Sequence, residues 1–163
     1  MASGNTLCVF LPQDNEPPAS AYAQLDTRNS MLLLAFDAST QEGAVFRGVM
    51  PSHYAGGGLT LDLFWMAASA TSGDVKWDAA YEENDTNNND LDSDAFGTAS
   101  TATTTTNGTS GKVTKSTITI SHANCGSPAA GDPFRLRVRR IAADGGDTMT
   151  GDAQLLSIHA KET

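Results

Sequence analysis

Short segments in which apolar and polar residues alternate constrain the fold of this chain more than any other feature of its sequence. Residues 59–66 and 134–139 show the alternation most clearly, and Gly, Pro, Asn or Asp closes most of the segments. A period of two residues is typical of β-strands that bury one face, and no long stretch has the 3.6-residue period of an amphipathic helix. The sequence therefore predicts an all-β chain.

The predicted strands recur roughly every 10 to 20 residues, which gives about eight or nine of them. They cover residues 6–11, 21–26, 31–37, 44–50, 59–66, 74–82, 113–121, 134–139 and 153–160. That number fits an antiparallel two-sheet sandwich, of which the jelly roll is the common eight-stranded form. Because 163 residues is close to the usual size of one domain, we expect residues 1–163 to form a single β-sandwich domain.

Charge and hydropathy exclude several classes of partner. The formal net charge is −9, whereas a nucleic-acid-binding surface needs a basic footprint, so we expect no nucleic-acid partner. No stretch approaches the ~20 apolar residues of a membrane span, and the first ten residues lack the basic start of a secretory signal. We expect synthesis in a cytoplasm and no membrane partner. Cys8 and Cys125 do not make up a secreted disulfide framework.

Two consecutive strands each carry a tryptophan, at Trp65 and Trp77. The intervening Thr71-Ser72-Gly73-Asp74 is typical of a hairpin turn, which predicts that the two rings pack across neighbouring strands. We interpret both rings as core residues. The alternative is an exposed aromatic platform for sugars, formed from Tyr54, Trp65, Trp77 or Tyr81.

A polar loop at residues 84–94 contains the best candidate for a metal site. Asp85, Asn87, Asn89 and Asp90 offer the carboxylate and amide oxygens that calcium prefers. The spacing departs from that of an EF-hand loop, because Asp90 stands where that loop needs glycine and no Glu occupies its last position. We expect a solvated acidic turn. A calcium site is the alternative, and calcium is the one cofactor that the sequence suggests.

Four of the ten basic residues stand close together in one predicted strand, namely Arg135, Arg137, Arg139 and Arg140. Alternation places the first three on one face, as a positive stripe on an acidic protein. Two interpretations remain open. The stripe docks an acidic partner or a neighbouring subunit, or it pairs with acidic residues on adjacent strands of the same chain.

No catalytic motif is recognisable in the sequence. His53, His122 and His159 are far apart, and no serine stands in a Gly-x-Ser-x-Gly or Ser-x-x-Lys context. We therefore expect the histidines to be structural and the chain not to be an enzyme.

The threonine-rich stretch at residues 98–109 carries no charge. An uncharged edge strand invites pairing with another chain. This stretch is therefore either a subunit contact or an ordinary surface loop or hairpin.

Six motifs are distributed over most of the chain. They read Leu-Pro-Gln-Asp-Asn-Glu-Pro-Pro (11–18), Leu-Asp-Thr-Arg-Asn (25–29), Phe-Asp-Ala-Ser-Thr (36–40), Gly-Val-Met-Pro-Ser-His-Tyr-Ala-Gly-Gly-Gly-Leu (48–59), Ser-Gly-Asp-Val-Lys-Trp (72–77) and Asp-Thr-Met-Thr-Gly-Asp-Ala (147–153). Together they resemble a group of small virion-associated proteins of tailed bacteriophages.

The resemblance implies a β-sandwich structural protein of the phage particle. Such a protein is a homotrimeric head decoration (cement) protein bound across subunits of the major capsid protein, or a head or tail fibre component bound to another virion protein. The alternative outside the resemblance is a carbohydrate-binding module, since β-sandwich modules of that class present aromatic platforms and often carry calcium.

Overall fold

The computed structural model describes residues 4–163, which contain ten β-strands and two one-turn 3-10 helices. The strands are β1 (Thr6–Phe10), β2 (Gln24–Arg28), β3 (Met31–Phe36), β4 (Glu42–Val49), β5 (Leu59–Ala67), β6 (Asp74–Glu83), β7 (Ser100–Thr105), β8 (Thr114–Ile120), β9 (Pro133–Arg140) and β10 (Ala153–Glu162). The 3-10 turns are Pro12–Asp14 and Ala123–Cys125. No helix among these residues is long and apolar enough to cross a membrane.

The strands form two antiparallel sheets, which confirms the predicted sandwich. The first has the order β2-β3-β10-β5-β8, with β1 also paired to β10, and the second has the order β4-β9-β6-β7. The last eight strands pair as nested partners, β3 with β10, β4 with β9, β5 with β8 and β6 with β7. A long hairpin of four nested pairs, rolled so that successive pairs alternate between sheets, is the jelly-roll arrangement.

The core lies between the two sheets and is built from the apolar positions of the alternating strands. On β5 these are Leu59, Leu61, Leu63 and Trp65, and on β9 they are Phe134, Leu136 and Val138. Trp65 and Trp77 meet there with ring centres 6.0 Å apart. Burying such rings removes large apolar areas from water and contributes several kcal/mol, at about 25 cal/mol per Å².

The predicted hairpin between β5 and β6 is wrong, although the predicted contact between the tryptophans is confirmed. β5 pairs with β10 and β8, whereas β6 pairs with β9 and β7 in the other sheet. Residues 71–74 therefore carry the chain from one sheet to the other. The rings meet edge to face across the sandwich, with an angle of 61° between their planes, and not side by side within a sheet.

The threonine-rich stretch forms the edge strand β7, at the end of the second sheet. Its outward-facing threonines are exposed, and Thr104 on the inner face accepts a hydrogen bond from Ser116 Oγ of β8 at 2.8 Å. Its role as a subunit contact stays a prediction.

Candidate functional site

The aromatic residues proposed as a sugar platform lie inside the protein. Trp65 and Trp77 have 0% of their surface exposed, Tyr81 has 1% and Tyr54 has 8%. The Trp65 indole N–H donates to Ser116 Oγ at 2.9 Å, and the Tyr81 ring stacks on Phe134. An aromatic platform must offer a ring face to the ligand, so the prediction of a platform at these four residues is wrong, and the interpretation of both tryptophans as core residues is confirmed.

Alternation places Arg135, Arg137 and Arg139 on the outer face of β9, as predicted, and two of the three are neutralised by the neighbouring strand. Glu82 of β6 accepts from Arg135, and Asp78 of β6 accepts from both Nε and Nη2 of Arg139. For these two arginines the structure supports pairing within the chain. Both carboxylates are almost completely buried beneath their arginines, so the pairs are part of the folded sheet and not free surface charges.

Arg140 cannot act as an interface residue, because its side chain is fully buried. It binds both oxygens of Asp147, and it donates to the carbonyl oxygens of Phe36, Met149 and Gly151 at 2.7–3.3 Å. These bonds tie the loop between β9 and β10 to the end of β3. The residue that sequence reasoning added to the stripe thus belongs to a buried structural network.

Arg137 differs from its neighbours on β9. No carboxylate forms a salt bridge with it within residues 4–163, and its guanidinium stacks on Phe96 at 4.8 Å from the ring centre. The same ring covers Arg135 at 4.9 Å. Burial and the adjacent Arg139 lower the pKa of Arg137 from its ordinary value. It is the one member of the predicted stripe whose side chain is left for an external acidic group.

The acidic loop folds on itself through its own polar side chains. Asn89 Oδ1 accepts from the backbone N–H of Asp85 at 3.0 Å, and Asp94 accepts from the N–H of Asp90 at 2.6 Å. Asn87 has a positive φ of 67°, a conformation that Asn tolerates better than most residues. Among residues 4–163 no group of three His, Cys, Asp or Glu side chains is arranged to hold a metal. The calcium site at Asp85, Asn87, Asn89 and Asp90 stays a prediction.

A groove of about 1010 Å³ lies beside strands β1 and β4. The buried rings of Phe10 and Phe134 line it, together with three exposed apolar side chains. These are Val9, Val49 and Leu91, which are 55%, 57% and 59% exposed. Isolated exposed aliphatic residues are common, but several around one concavity are typical of a binding surface.

Polar groups complete the groove lining. The amide side chains of Gln13, Asn15, Asn84 and Asn89 line it, as do the ion-paired Glu16 and Arg47. Arg135 lines it as well, so the groove brings together one residue of the predicted metal set, Asn89, and one of the predicted interface set, Arg135. The lining is mixed in polarity, and its two acidic side chains, Asp14 and Glu16, balance its two arginines.

Comparisons with known proteins identify no family for this chain, since no family model and no curated protein matches it. Among solved structures, the chain is similar to an arabinose-bound α-L-arabinofuranosidase (MgGH51), with 12% identity and a TM-score of 0.49. The match covers 98% of this chain but only 26% of the arabinofuranosidase, so this chain spans about a quarter of that protein's length. The chain is also similar to a carbohydrate-binding module from the Cellvibrio mixtus lichenase 5A in complex with cellotriose, with 12% identity and a TM-score of 0.43. That match covers 97% of this chain and 98% of the module.

The histidines have partners with structural roles. His122 Nδ1 is 2.9 Å from the Tyr54 hydroxyl, His159 Nε2 is 2.8 Å from Thr6 Oγ1, and His53 Nε2 is 2.9 Å from the Thr6 carbonyl oxygen. These contacts hold loops and the strand β1 against the sandwich.

Both cysteines are free, and burial raises the pKa of both thiols, that of Cys125 to about 12.

Sequence reasoning missed the groove because its lining comes from distant parts of the chain, between Cys8 and Arg135. One signal was present. Val49, directly before the Met50-Pro51 stop, and Leu91, inside the polar loop, are apolar residues at positions where a solvent-exposed chain has no need of them.

Proposed function

We propose that this chain is a non-catalytic structural subunit that works by binding other protein chains, as a head decoration or fibre protein of a tailed-phage particle. The observation that carries the proposal is the clustering of exposed aliphatic side chains around concave surfaces. The particle itself is proposed on the sequence resemblance.

Two such clusters support protein binding. The first surrounds the groove beside β1 and β4. The second is a smaller concavity of about 380 Å³, where the exposed Met31 and Val113 lie beside Met66 and Leu156. Contiguous apolar surface of this kind is typical of protein interfaces, whose centres are depleted of charge.

Charge plays a smaller part in this proposal than the arginine-rich strand suggests. Arg135 and Arg139 form salt bridges with Glu82 and Asp78, and Arg140 is buried. Arg137 and the exposed Arg47–Glu16 pair remain available to a partner. An acidic protein with few available cations recognises its partner mainly through shape and apolar contact.

The test is association with the particle. Particles purified by density gradient from cells producing the phage are analysed by mass spectrometry, and we expect this chain at high copy number. Its absence from intact particles would overturn the proposal. Size-exclusion chromatography with light scattering, with and without calcium, tests the expected homotrimer of the 17.0 kDa chain.

A second candidate is a carbohydrate-binding module, and the amides of the groove favour it. Gln13 and Asn84 present planar amide groups beside apolar side chains, the combination that orients a sugar, while the amide oxygens of Asn15 and Asn89 already accept from Val45 and Asp85. A glycan array read through a label on the protein tests it. Tryptophan emission is a poor reporter here, because both tryptophans are fully buried.

A further inference from the structure

The edge of strand β4 that faces away from β9 is covered by the chain itself along only half of its length. Residues 15–23, which bend at residues 19–21, lie against Gly43 and Val45. Gly43 N–H donates to the Ala21 carbonyl at 2.8 Å, Ala23 N–H donates to the Gly43 carbonyl at 2.9 Å, and Glu16 N–H donates to the Val45 carbonyl at 2.7 Å. The Val45 N–H donates to Asn15 Oδ1 at 3.0 Å. Two short stretches of the chain, on either side of the bend, thus already bond to this edge.

The cover ends at Val45, two residues before the groove begins. Main-chain groups alternate in direction along a strand, so those of Arg47 and Val49 point to the same side as those of Gly43 and Val45. Within residues 4–163 the main-chain N–H and C=O groups of Arg47 and Val49 make no backbone hydrogen bond on that side. Two donors and two acceptors of an edge strand therefore open directly into the groove.

The groove has the features that a further strand needs. Val49 and Val9 stand on its β4 and β1 sides and Leu91 on the acidic loop, so apolar side chains of an extended occupant meet apolar partners. The charged lining is balanced, and the exposed Arg47–Glu16 pair lies beside the edge. Natural proteins protect exposed edges with charge, proline or a covering loop, and an edge that is left open is a place for strand addition.

We propose that the Arg47–Val49 edge of β4 binds an extended segment of a partner protein as an added strand lying in the groove. The segment lies beyond the part of the edge that residues 15–23 cover, has apolar side chains at alternate positions and carries little net charge. This inference deepens the proposed function, on which it rests for the nature of the occupant.

A proline at position 49 tests the added strand. Val49→Pro removes one edge donor but no hydrogen bond of the β4–β9 ladder, because the Val49 N–H points away from β9. Val49→Thr is the matched control, since it keeps the N–H, the β-branched shape and the strand preference. Thermal unfolding of both variants confirms that they fold.

The probe is a peptide selected from a yeast-displayed library of random twelve-residue sequences against the full chain. We expect Val49→Pro to weaken binding about tenfold or more, and Val49→Thr by no more than about threefold. N-methylation along the peptide is expected to weaken binding at every second residue, since only alternate N–H groups face β4. Alkylation of Cys8, which lines the groove, is expected to slow when the peptide binds, while Cys125 is buried and does not interfere.

The contrary results are equally distinct. Selected peptides that bind Val49→Pro as tightly as the parent chain, or that leave Cys8 alkylation unchanged, overturn the proposal. So does a native oligomer that Val49→Pro converts to monomer, because the occupant is then a second copy of this chain. Particle binding that survives Val49→Pro overturns the groove proposal and leaves the proposed function standing. A parent chain that does not associate with particles overturns the proposed function whatever the peptides do.

Discussion

Strand β4 has two edges, and they face regions of opposite character. Along one edge it pairs with β9, whose outer face carries three arginines, two of which, Arg135 and Arg139, form salt bridges inside the molecule. Beyond the second half of its other edge lies the groove, where main-chain groups and aliphatic side chains have none. The outer face of β9, which the sequence marks as charged, is therefore largely compensated within the chain. The groove, which no sequence motif marks, keeps groups available to a partner.

The difference shows that residue type is a weaker guide to binding than whether a group is satisfied. A guanidinium beside a buried carboxylate gains little from a partner, since its charge is already compensated. An edge amide and an exposed valine gain hydrogen bonds and buried area from any occupant of the right shape. If the comparison is correct, changes at β9 alter stability and changes in the groove alter binding.

The largest effect is expected at Arg140. Arg140→Met leaves Asp147 buried without its cation and removes donors from three carbonyl groups, which should lower the free energy of unfolding by about 3–5 kcal/mol. Urea denaturation measures it. The double variant Arg140→Met with Asp147→Asn should recover part of the loss, because the buried charge is gone. A loss below about 1 kcal/mol for the single variant would show that the region is not closed by this network.

A smaller effect separates two neighbours on the outer face of β9. Arg139→Met leaves the buried Asp78 carboxylate unpaired and should cost about 1–3 kcal/mol in unfolding free energy. Arg137→Met is the matched control, and it should stay within about 0.5 kcal/mol of the parent, since no carboxylate of residues 4–163 forms a salt bridge with Arg137. Equal losses in the two variants would contradict the distinction between them.

The groove residues should reverse that pattern. Leu91→Ser removes an exposed side chain and should change the unfolding free energy by no more than about 0.5 kcal/mol. The same change should weaken binding of groove-selected peptides measured by fluorescence anisotropy, because Leu91 offers apolar area to the occupant. The exposed Val113 lies outside this groove, and Val113→Ser serves as the control. A stability loss at Leu91 without a binding loss would break the comparison.

The sequence predicted the strands well because alternation is a local property. The structure has strands close to each predicted segment, and β9 turns the expected residues inward. Pairing is not local. Residues 71–74 have the composition of a hairpin turn, yet β5 and β6 join different partners, because the nested pairing of β3 through β10 is decided by the core as a whole.

The sites were harder to predict for the same reason. Alternation identified the outward arginines, but it contained no information on Glu82 and Asp78, which neighbour β9 only after the sheet forms. The groove depends on which main-chain groups remain uncovered, and a sequence does not contain that property until strands and loops are in place.

The smallest effect concerns acid stability near the buried end of β9. Asp37 accepts hydrogen bonds from the N–H and hydroxyl of Ser39 and from the N–H of Thr40, with Arg140 nearby, and these hold its pKa at about 2. A carboxyl group whose pKa is lowered by folding contributes stability that is present above its ordinary value of 3.8 and lost as the pH falls through about 2. Asp37→Asn keeps an acceptor oxygen but cannot titrate. The fall in unfolding free energy between pH 4 and pH 2 should therefore be shallower in this variant than in the parent chain. Asp92→Asn, in the exposed loop, controls for the loss of one negative charge. If the unfolding free energy of Asp37→Asn falls as steeply between pH 4 and pH 2 as that of the parent, the Asp37 carboxylate does not contribute to stability. The stabilising network around Arg140 then does not extend to Asp37.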